Sequence, residues 1–512
     1  MCDVFCRDDR LYFSHEHIEG GDHMAGYGLS KSRIVAWKQC PKRLWLQIHR
    51  PDLLEESGEI GRIFRTGNEV GEVARNLHPD GILIDDEDLS AALESTKIAM
   101  EKHPGRPIFE ATFEHEGVLV RADLLLPAKK SCRMVEVKSS TSVKPHQIDD
   151  CAIQAWVLRQ CGVPLGSIEL AHIDTSFVYR GDGDYRGLFR NIRLDDEVSP
   201  LIEEVPQWVS GARLTLCGSE PEIEVGEQCS DPFECPFSDH CAGNRVRPEY
   251  TLDIFPRMSR TKKRELLEMG YEDALEVPEE HLSESQLRVQ RITRSEKPEL
   301  DPQAGKILAA LPYPRYYLDF ETINFAVPRW AGTRPYGAQM VFQWSCHVEE
   351  SPCVLRHEMF LDVSGNDPGR PCAQSLIDAL GSSGPIFVYN QAFEKGRIRE
   401  MAERFPEIAD FLHAINERVV DLLPIARQHY YHPGMRGSWS IKEVLPTIAP
   451  DLDYASLAVS NGGDAQEAYL EIIRPDTSIP RRKELVEGLR KYCELDTLAM
   501  VRIARHFQGF GK

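Results

Sequence analysis

The stretch Tyr316–Phe325, reading Y-Y-L-D-F-E-T-I-N-F, places the tightest limit on what this chain can fold into. Tyr316, Tyr317 and Leu318 are β-preferring or apolar residues in a short run, the composition of a buried strand. Asp319 and Glu321 are set into that run one residue apart. Side chains at i and i+2 of a strand leave the same face, so the two carboxylates project together. Facing acids repel one another, and a divalent cation between them is the usual physical answer. An edge strand with two solvated acids is the alternative, and partner acids later in the chain decide between the two.

A chain of 512 residues can bury more than one core, and roughly two to four domains are expected. Hydrophobic residues make up 42% and charged residues 28%, the balance of a globular chain. No apolar run reaches membrane-spanning length and no secretory signal core is evident, so a cytoplasmic protein without membrane association is expected. The 14 cysteines stand mostly singly, as reduced thiols do, rather than as a disulfide framework. A formal net charge of −21 argues against indiscriminate binding to polyanions, but not against a nuclease, whose metal-binding carboxylates put acid where phosphate is handled. Local basic surface matters more: residues 31–50 hold Lys31, Arg33, Lys38, Lys42, Arg43 and Arg50 and no acid.

Residues 1–28 lack hydrophobic periodicity and read as a disordered leader, with Met24 an alternative start. From Leu29, Ser30 or Ser32 caps a helix, and Ile34, Trp37, Leu44 and Trp45 recur at helical spacing until Cys40-Pro41 interrupts it. Amphipathic helices follow at 62–77 and 89–103. At Phe109 the period switches to two, with a hairpin turn at His115–Gly117, a further strand at Cys132–Ser139, and a helix carrying Ile148, Cys151, Ala152, Ala155 and Trp156. The expected fold class is α/β and multidomain: a first domain over 29–245, a helical connector over 246–312, and a second domain over 313–508. In that last domain strands are expected at 315–323, 338–347, 354–361 and 385–389, with helices near 391–404, 420–429 and 481–505.

Asp123 falls on one strand and Glu136-Val137-Lys138 on the next. Glu136 and Lys138 share a face, so the strand presents an acid and a cation together. Asp123 and Glu136 suit a Mg²⁺ or Mn²⁺ ion, with Lys138 orienting water or balancing phosphoryl charge; a salt-bridged, solvated strand face is the alternative. The arrangement resembles the PD-(D/E)xK nucleases of the RecB/AddB type, whose core is restriction-endonuclease-like. The resemblance implies a following helix with Q-x-x-x-Y, which Gln154 matches and Leu158 does not. It also implies a metal-binding His on an earlier helix, where Glu69 and Glu72 are the candidates available.

Cys40 upstream and Cys229, Cys235 and Cys241 downstream total four thiolates, the number that completes an iron–sulfur cluster or a tetrahedral zinc site. Proline follows two of them, at Pro41 and Pro236. The chemistry fits both metals. Resemblance to the cluster-bearing RecB/AddB-like nucleases, where such a set staples the ends of the domain, implies [4Fe–4S], with Zn²⁺ as the alternative. The other cysteines read as small buried hydrophobes.

A two-metal phosphodiesterase needs about four carboxylates. Asp319 and Glu321 supply two. After the strand I-F-V-Y-N, Glu394 lies in the first turn of a helix, where an acid is favoured by the helix dipole. K-Y-C-E-L-D places Tyr492 and Asp496 at i and i+4 on one face of the last long helix. Taken alone, Y-x-x-x-D is more often a packing tyrosine and a surface acid. In this order the residues resemble the DEDD exonucleases of the RNase H-like fold that carry a tyrosine in the last motif, with Glu394 in place of the usual aspartate. That resemblance implies 3′–5′ exonuclease activity on single-stranded DNA or RNA ends. Asp319 would bridge two metals, Glu321 and Glu394 would hold one side, Asp496 the other, and Tyr492 would align water. Asp421 and Lys442 are further polar candidates near such a site, and Trp330, Arg334 and Tyr336 are candidates to stack on or grip a terminal nucleotide. Over about residues 29–505, including C-P-K-R-L-W-L, Y-L-D-F-E-T and G-S-W-S-I-K, the chain resembles the bacterial domain-of-unknown-function 2779 family.

Overall fold

Alternating apolar positions over Ile108–His115 (β1) and Val118–Pro127 (β2) form the centre of the first sheet. The computed structural model describes residues 4–7, 10–13, 28–54, 58–243, 248–337, 339–352, 354–452, 454 and 457–510. The chain divides into two units, Met1–Arg245 with Phe325–Gly337, and Val246–Asn324 with Ala338–Lys512. Most of the leader expected over 1–28 lies outside the described residues; within it, Val4–Arg7 pairs antiparallel with Arg10–Phe13.

The first unit begins with α1 (Lys31–Gln39), capped by the Ser30 side chain accepting from Arg33 N. Cys40 ends α1 and caps α2 (Pro41–His49). Pro41 cannot continue a helix but suits the first position of the next, so one dipeptide does both jobs. Next come α3 (Gly58–Asn76) and α4 (Leu89–Lys102). After β1 and β2 the chain runs through β3 (Cys132–Lys138), α5 (Pro145–Gln160), β4 (Leu165–Ile173) and β5 (Phe189–Arg193). The sheet is seven-stranded: Ile82–Leu83, β1, β2, β3, β4 and β5 in order, with Leu29–Ser30 alongside β2. β1, β2 and β3 are antiparallel, whereas β3 and β4 are parallel across α5. The β1–β2 turn falls on Glu116 and Gly117, both at positive φ (46° and 66°), the requirement of a two-residue hairpin turn that follows the strand twist. Helix α5 is buried on every side from Asp150 to Leu158, which explains why that stretch is apolar apart from Asp150 and Gln154.

The second unit contains β6 (Arg315–Ile323), β7 (Met340–Ser351), β8 (Val354–Leu361), α6 (Gly369–Leu380), β9 (Ile386–Val388), α7 (Gln391–Arg404), β10 (Val419–Asp421) and α8 (Ile479–Phe507). Its sheet has five strands in the order β8-β7-β6-β9-β10. β8, β7 and β6 are antiparallel; β9 and β10 run parallel to β6. The strand bearing Asp319 and Glu321 is therefore central, and the edge-strand alternative is excluded. All of β6 is buried except half-buried Asp319, as expected of a strand covered on both faces.

Two segments belong elsewhere than their composition indicates. The 246–312 stretch, expected as a connector, is part of the second unit: Leu252, Leu266, Val289, Ile292 and Leu308 share one core with Tyr317, Phe387, Met500 and Phe507. Its charges occupy the outer faces of short amphipathic helices. Conversely, Phe325–Gly337, which follows β6, belongs to the first unit, where Ala326 and Val327 join Val70, Ile173 and Leu188. Among the described residues, no helix is long and apolar enough to cross a membrane.

Two acidic centres and a cysteine cluster

In the second unit three elements converge on one buried acidic cluster. β6 contributes Asp319 and Glu321, opposite Ser345 and Gln343 of β7. The register shifts between Glu321 and Thr322, just past the acids. Helix α8 presents Asp496 and Tyr492, both buried, and Gln343 Nε2 ties it to the sheet by donating to Leu489 O at 3.0 Å. Helix α7 presents Glu394 in its first turn. Asp421 positions that helix: at the end of β10 it accepts from the backbone N–H groups of Asn390 and Gln391 at 3.0 Å each. Asn390, in the left-handed region at φ 90°, makes the corner. Asp421 thus braces the start of the helix that carries Glu394 and acts on Glu394 by its charge.

Burial and mutual repulsion push these carboxyls upward. Burial, then Asp496, raise Glu321 to about 8. Burial raises Glu394 to about 8, with Asp421 adding to it. Asp319 is lifted well above its ordinary value by burial and by Asp496, Glu321 and Glu394. Asp496 is raised to about 6 by burial, moderated by hydrogen bonds from Tyr454 and Tyr492 and by the charge of Lys442. One oxygen of Glu394, Oε2, is buried without a hydrogen-bond partner. Acids in such a space carry more negative charge than their surroundings compensate, and a bound proton or a cation relieves it.

The fold brings further residues to this cluster. Tyr454 Oη donates to Asp496 Oδ1 at 2.7 Å, and its ring meets Tyr492 edge-on with centroids 6.2 Å apart. Nothing in the loop around Tyr454 marks it as functional in sequence. Lys442, expected only as a candidate, places Nζ 5.3 Å from the Tyr454 ring centroid and 5.5 Å from that of Tyr492, while donating to Ser460 O. Cys493 lies beside Asp319 and Glu321. Behind the acids, Thr497 Oγ1 joins Ser345 Oγ at 2.9 Å and His347 Nδ1 at 2.8 Å. Burial and His357 hold His347 down at about 4, so this network is neutral.

The first unit gathers Asp123, Glu136, Lys138 and Gln154 as well, but in a different electrostatic state. Glu136 Oε1 lies 2.6 Å from Lys138 Nζ and 2.8 Å from Lys31 Nζ. Its other oxygen accepts from Gln154 Nε2 at 2.6 Å. Burial alone would raise Glu136; Lys138 and Lys31 outweigh it and hold the carboxyl far below the usual range. Asp123 is instead raised by burial and by Glu136, and its Oδ2 accepts from Val137 N at 2.7 Å. Lys138 also reaches Asp150 at 2.8 Å. Lys31 and Asp150 were not legible as site residues; the parallel pairing of Leu29–Ser30 with β2 starts α1 beside the acids. Glu69 is engaged by Arg329, 3.1 Å away.

Trp330, Arg334 and Tyr336 belong to the first unit. Trp330 packs edge-on against Phe325 at 5.4 Å. Tyr336 Oη donates to Ser139 O at 2.7 Å and lines a cavity of about 400 Å³ with Lys138, Ser139, Lys144 and Gln147.

Cys40 caps the start of α2, and among the described residues no three of the sulfurs of Cys40, Cys229, Cys235 and Cys241 lie within 4.8 Å of one another. Cys235, Cys229 and Cys241 adjoin Leu46, Trp45 and Phe237, and Cys235 N donates to Cys229 O at 2.7 Å. Burial raises the Cys235 and Cys241 thiols, and each feels Cys229 and Cys40. Gln39 Nε2 clips the loop by donating to Gln228 O at 2.7 Å and Phe233 O at 2.6 Å.

Residues 316–440 match the family model described as a domain of unknown function, DUF2779. Among curated proteins, the uncharacterized protein UU173 of Ureaplasma parvum is 27% identical over 223 residues, covering 39% of this chain and 32% of that protein. The uncharacterized protein MG366 homolog of Mycoplasma pneumoniae is 29% identical over 215 residues, 38% of this chain and 32% of the relative. The chain thus aligns with about a third of each of these relatives.

Proposed function

We propose that the second unit is a divalent-metal-dependent phosphodiesterase of the DEDD type that removes nucleotides from the 3′ end of a nucleic acid strand. One observation carries this reading: half-buried Asp319 and buried Glu321 sit on one strand, and the charges of Asp496 and Glu394, brought in by two helices, act on Asp319, with Tyr492 one turn before Asp496. The sheet order, three antiparallel strands followed by two parallel to the central one, supports an RNase H-like core. The acids and the unpartnered Glu394 oxygen fit Mg²⁺ or Mn²⁺, held by Asp319, Glu321, Glu394 and Asp496. Such ions polarise a phosphodiester and lower the pKa of an attacking water. Tyr454 fixes Asp496 by its hydrogen bond. In this reading the Tyr492 hydroxyl would orient water, and Lys442 would supply positive charge to phosphoryl oxygens as they gain negative charge. Asp421 anchors the start of α7, which carries Glu394. The test is end-labelled single- and double-stranded DNA and RNA incubated with Mg²⁺ or Mn²⁺, wild type beside Asp319→Ala. Stepwise shortening from the 3′ end, lost in the variant, is expected; no Asp319-dependent degradation refutes the reading.

For the first unit, the β1-β2-β3-α5-β4 order and the Asp123, Glu136, Lys138, Gln154 set support a PD-(D/E)xK-like module. The double lysine bridge on Glu136 favours a second reading in which this module grips strands without cutting them. If Asp123→Ala with Glu136→Ala leaves cleavage intact while Asp319→Ala abolishes it, the module is a clamp; loss of a separate cleavage product makes it a second nuclease. Cys40, Cys229, Cys235 and Cys241 would hold [4Fe–4S]. Among the described residues no three of these sulfurs lie within 4.8 Å of one another, wider than the ~3.8 Å between thiolates on one tetrahedral zinc. Anaerobic purification followed by iron, sulfide and zinc analysis distinguishes the two.

A further inference from the structure

Cys493 carries more than a packing role. It precedes Asp496 by three residues on α8, so the two share a helix face. The Cys493 sulfur and one oxygen each of Asp319 and Glu321 all lie within 4.8 Å of one another. Among the described residues this is the group of three His, Cys, Asp or Glu donor atoms that gathers so closely. An oxygen at about 2.1 Å and a sulfur at about 2.3 Å from one ion are at most ~4.4 Å apart, so shared coordination requires only a small adjustment. Independent support comes from Glu394, whose Oε2 is buried and unpartnered and whose charge reaches Asp319. Ser345, paired with Asp319 across β6 and β7, lies close enough to the thiol to favour its ionised form, as outer partners of metal ligands do.

We propose that Cys493 is a sulfur ligand in the Asp319–Glu321 centre, making it a mixed oxygen–sulfur site that takes thiophilic divalent ions such as Co²⁺ and Cd²⁺ in preference to Mg²⁺. The inference rests on the second unit being a metal centre. Thiolate is a soft donor; Mg²⁺ takes oxygen almost exclusively and gains nothing from it. Binding releases the thiol proton to solvent, so affinity for soft ions rises with pH. The same chemistry makes the centre open to inhibition by Cd²⁺ or Zn²⁺.

The test uses the full chain, titrated with Co²⁺ and followed by near-ultraviolet absorbance, and with Cd²⁺ and Mg²⁺ followed by calorimetry. Cys493→Ser and Cys493→Ala are compared with wild type, each checked by its thermal melt. Both variants retain Cys40, Cys229, Cys235 and Cys241, so the wild-type-minus-variant spectrum isolates Cys493. The expected result is a thiolate-to-Co²⁺ charge-transfer band in that difference spectrum. Cd²⁺ affinity at this centre should drop about tenfold or more in both variants, with Mg²⁺ affinity changed less than about threefold. A blank difference spectrum with unchanged Cd²⁺ affinity overturns the sulfur ligand. If Asp319→Ala still weakens Cd²⁺ binding in that case, the metal centre stands and only the inference falls. If Asp319→Ala leaves binding of every ion unchanged, the reading of the centre itself falls.

Discussion

Replacing Glu321 by glutamine should stabilise the metal-free protein, although it deletes a residue of the proposed centre. The folded-state value of Glu321 is about 8, against an ordinary glutamate value near 4.3. Because the folded value is raised, the unfolded chain ionises first as pH increases. Below about pH 4 the residue is protonated in both states and has no effect. Between about 4 and 8 the unfolded state gains from ionisation that the folded state resists, so stability falls with rising pH. At pH 7 the accumulated cost is about 3.6 kcal/mol, from ~1.36 kcal/mol per pH unit between about 4.3 and 7. Glutamine keeps the shape and removes the charge. The second unit of Glu321→Gln should therefore melt roughly 7–14 °C higher at pH 7 in chelator, and the gain should vanish near pH 4. Added Mn²⁺ should reverse the order, stabilising wild type more than the variant. Differential scanning calorimetry across pH 4–8, with EDTA or Mn²⁺, reads all of this. A variant that melts lower than wild type at pH 7, or a gain independent of pH, refutes the reasoning.

Three further outcomes are expected. Arg315→Met should destabilise the second unit by about 3 kcal/mol or more in urea unfolding, because its buried guanidinium donates to Leu308 O and Leu311 O at 2.8 Å each and to Gln508 at 3.1 Å; a loss below about 1 kcal/mol contradicts it. Gly437→Ala should cost on the order of 4 kcal/mol or abolish soluble expression, since φ is +80° and a Cβ would lie 1.8 Å from Ile254 O; a normal melt would show that this turn yields easily. Lys31→Met should cost about 2 kcal/mol by leaving Glu136 short of a cation, and adding Glu136→Gln should restore part of it; additive losses in the double-mutant cycle would mean the 2.8 Å pair carries no coupling.

Legibility in the sequence followed the range of the interaction. β6, β8 and α7 span the expected 315–323, 354–361 and 391–404, because alternation, helical period and capping are set by near neighbours. The hairpin at Glu116–Gly117 and the break at Cys40-Pro41 belong to the same class. The 246–312 helices deceived for the opposite reason: a charged amphipathic helix looks alike whether its apolar face covers a core or a linker, and only packing against Tyr317 and Phe387 separates the two.

The sequence by itself determined that Asp319 and Glu321 share a face and that Tyr492 and Asp496 share another. Backbone geometry fixes such periodicities within a few residues. Tertiary structure alone decided that β6 is central, that Asp421 braces α7, that Tyr454 and Cys493 attend the acids, and that Lys31 reaches Glu136. Those pairings join residues 42 positions apart for Tyr454 and Asp496 and 105 apart for Lys31 and Glu136. Over such separations no local pattern records a contact; the burial of the sheet and of α5 and α8 creates it.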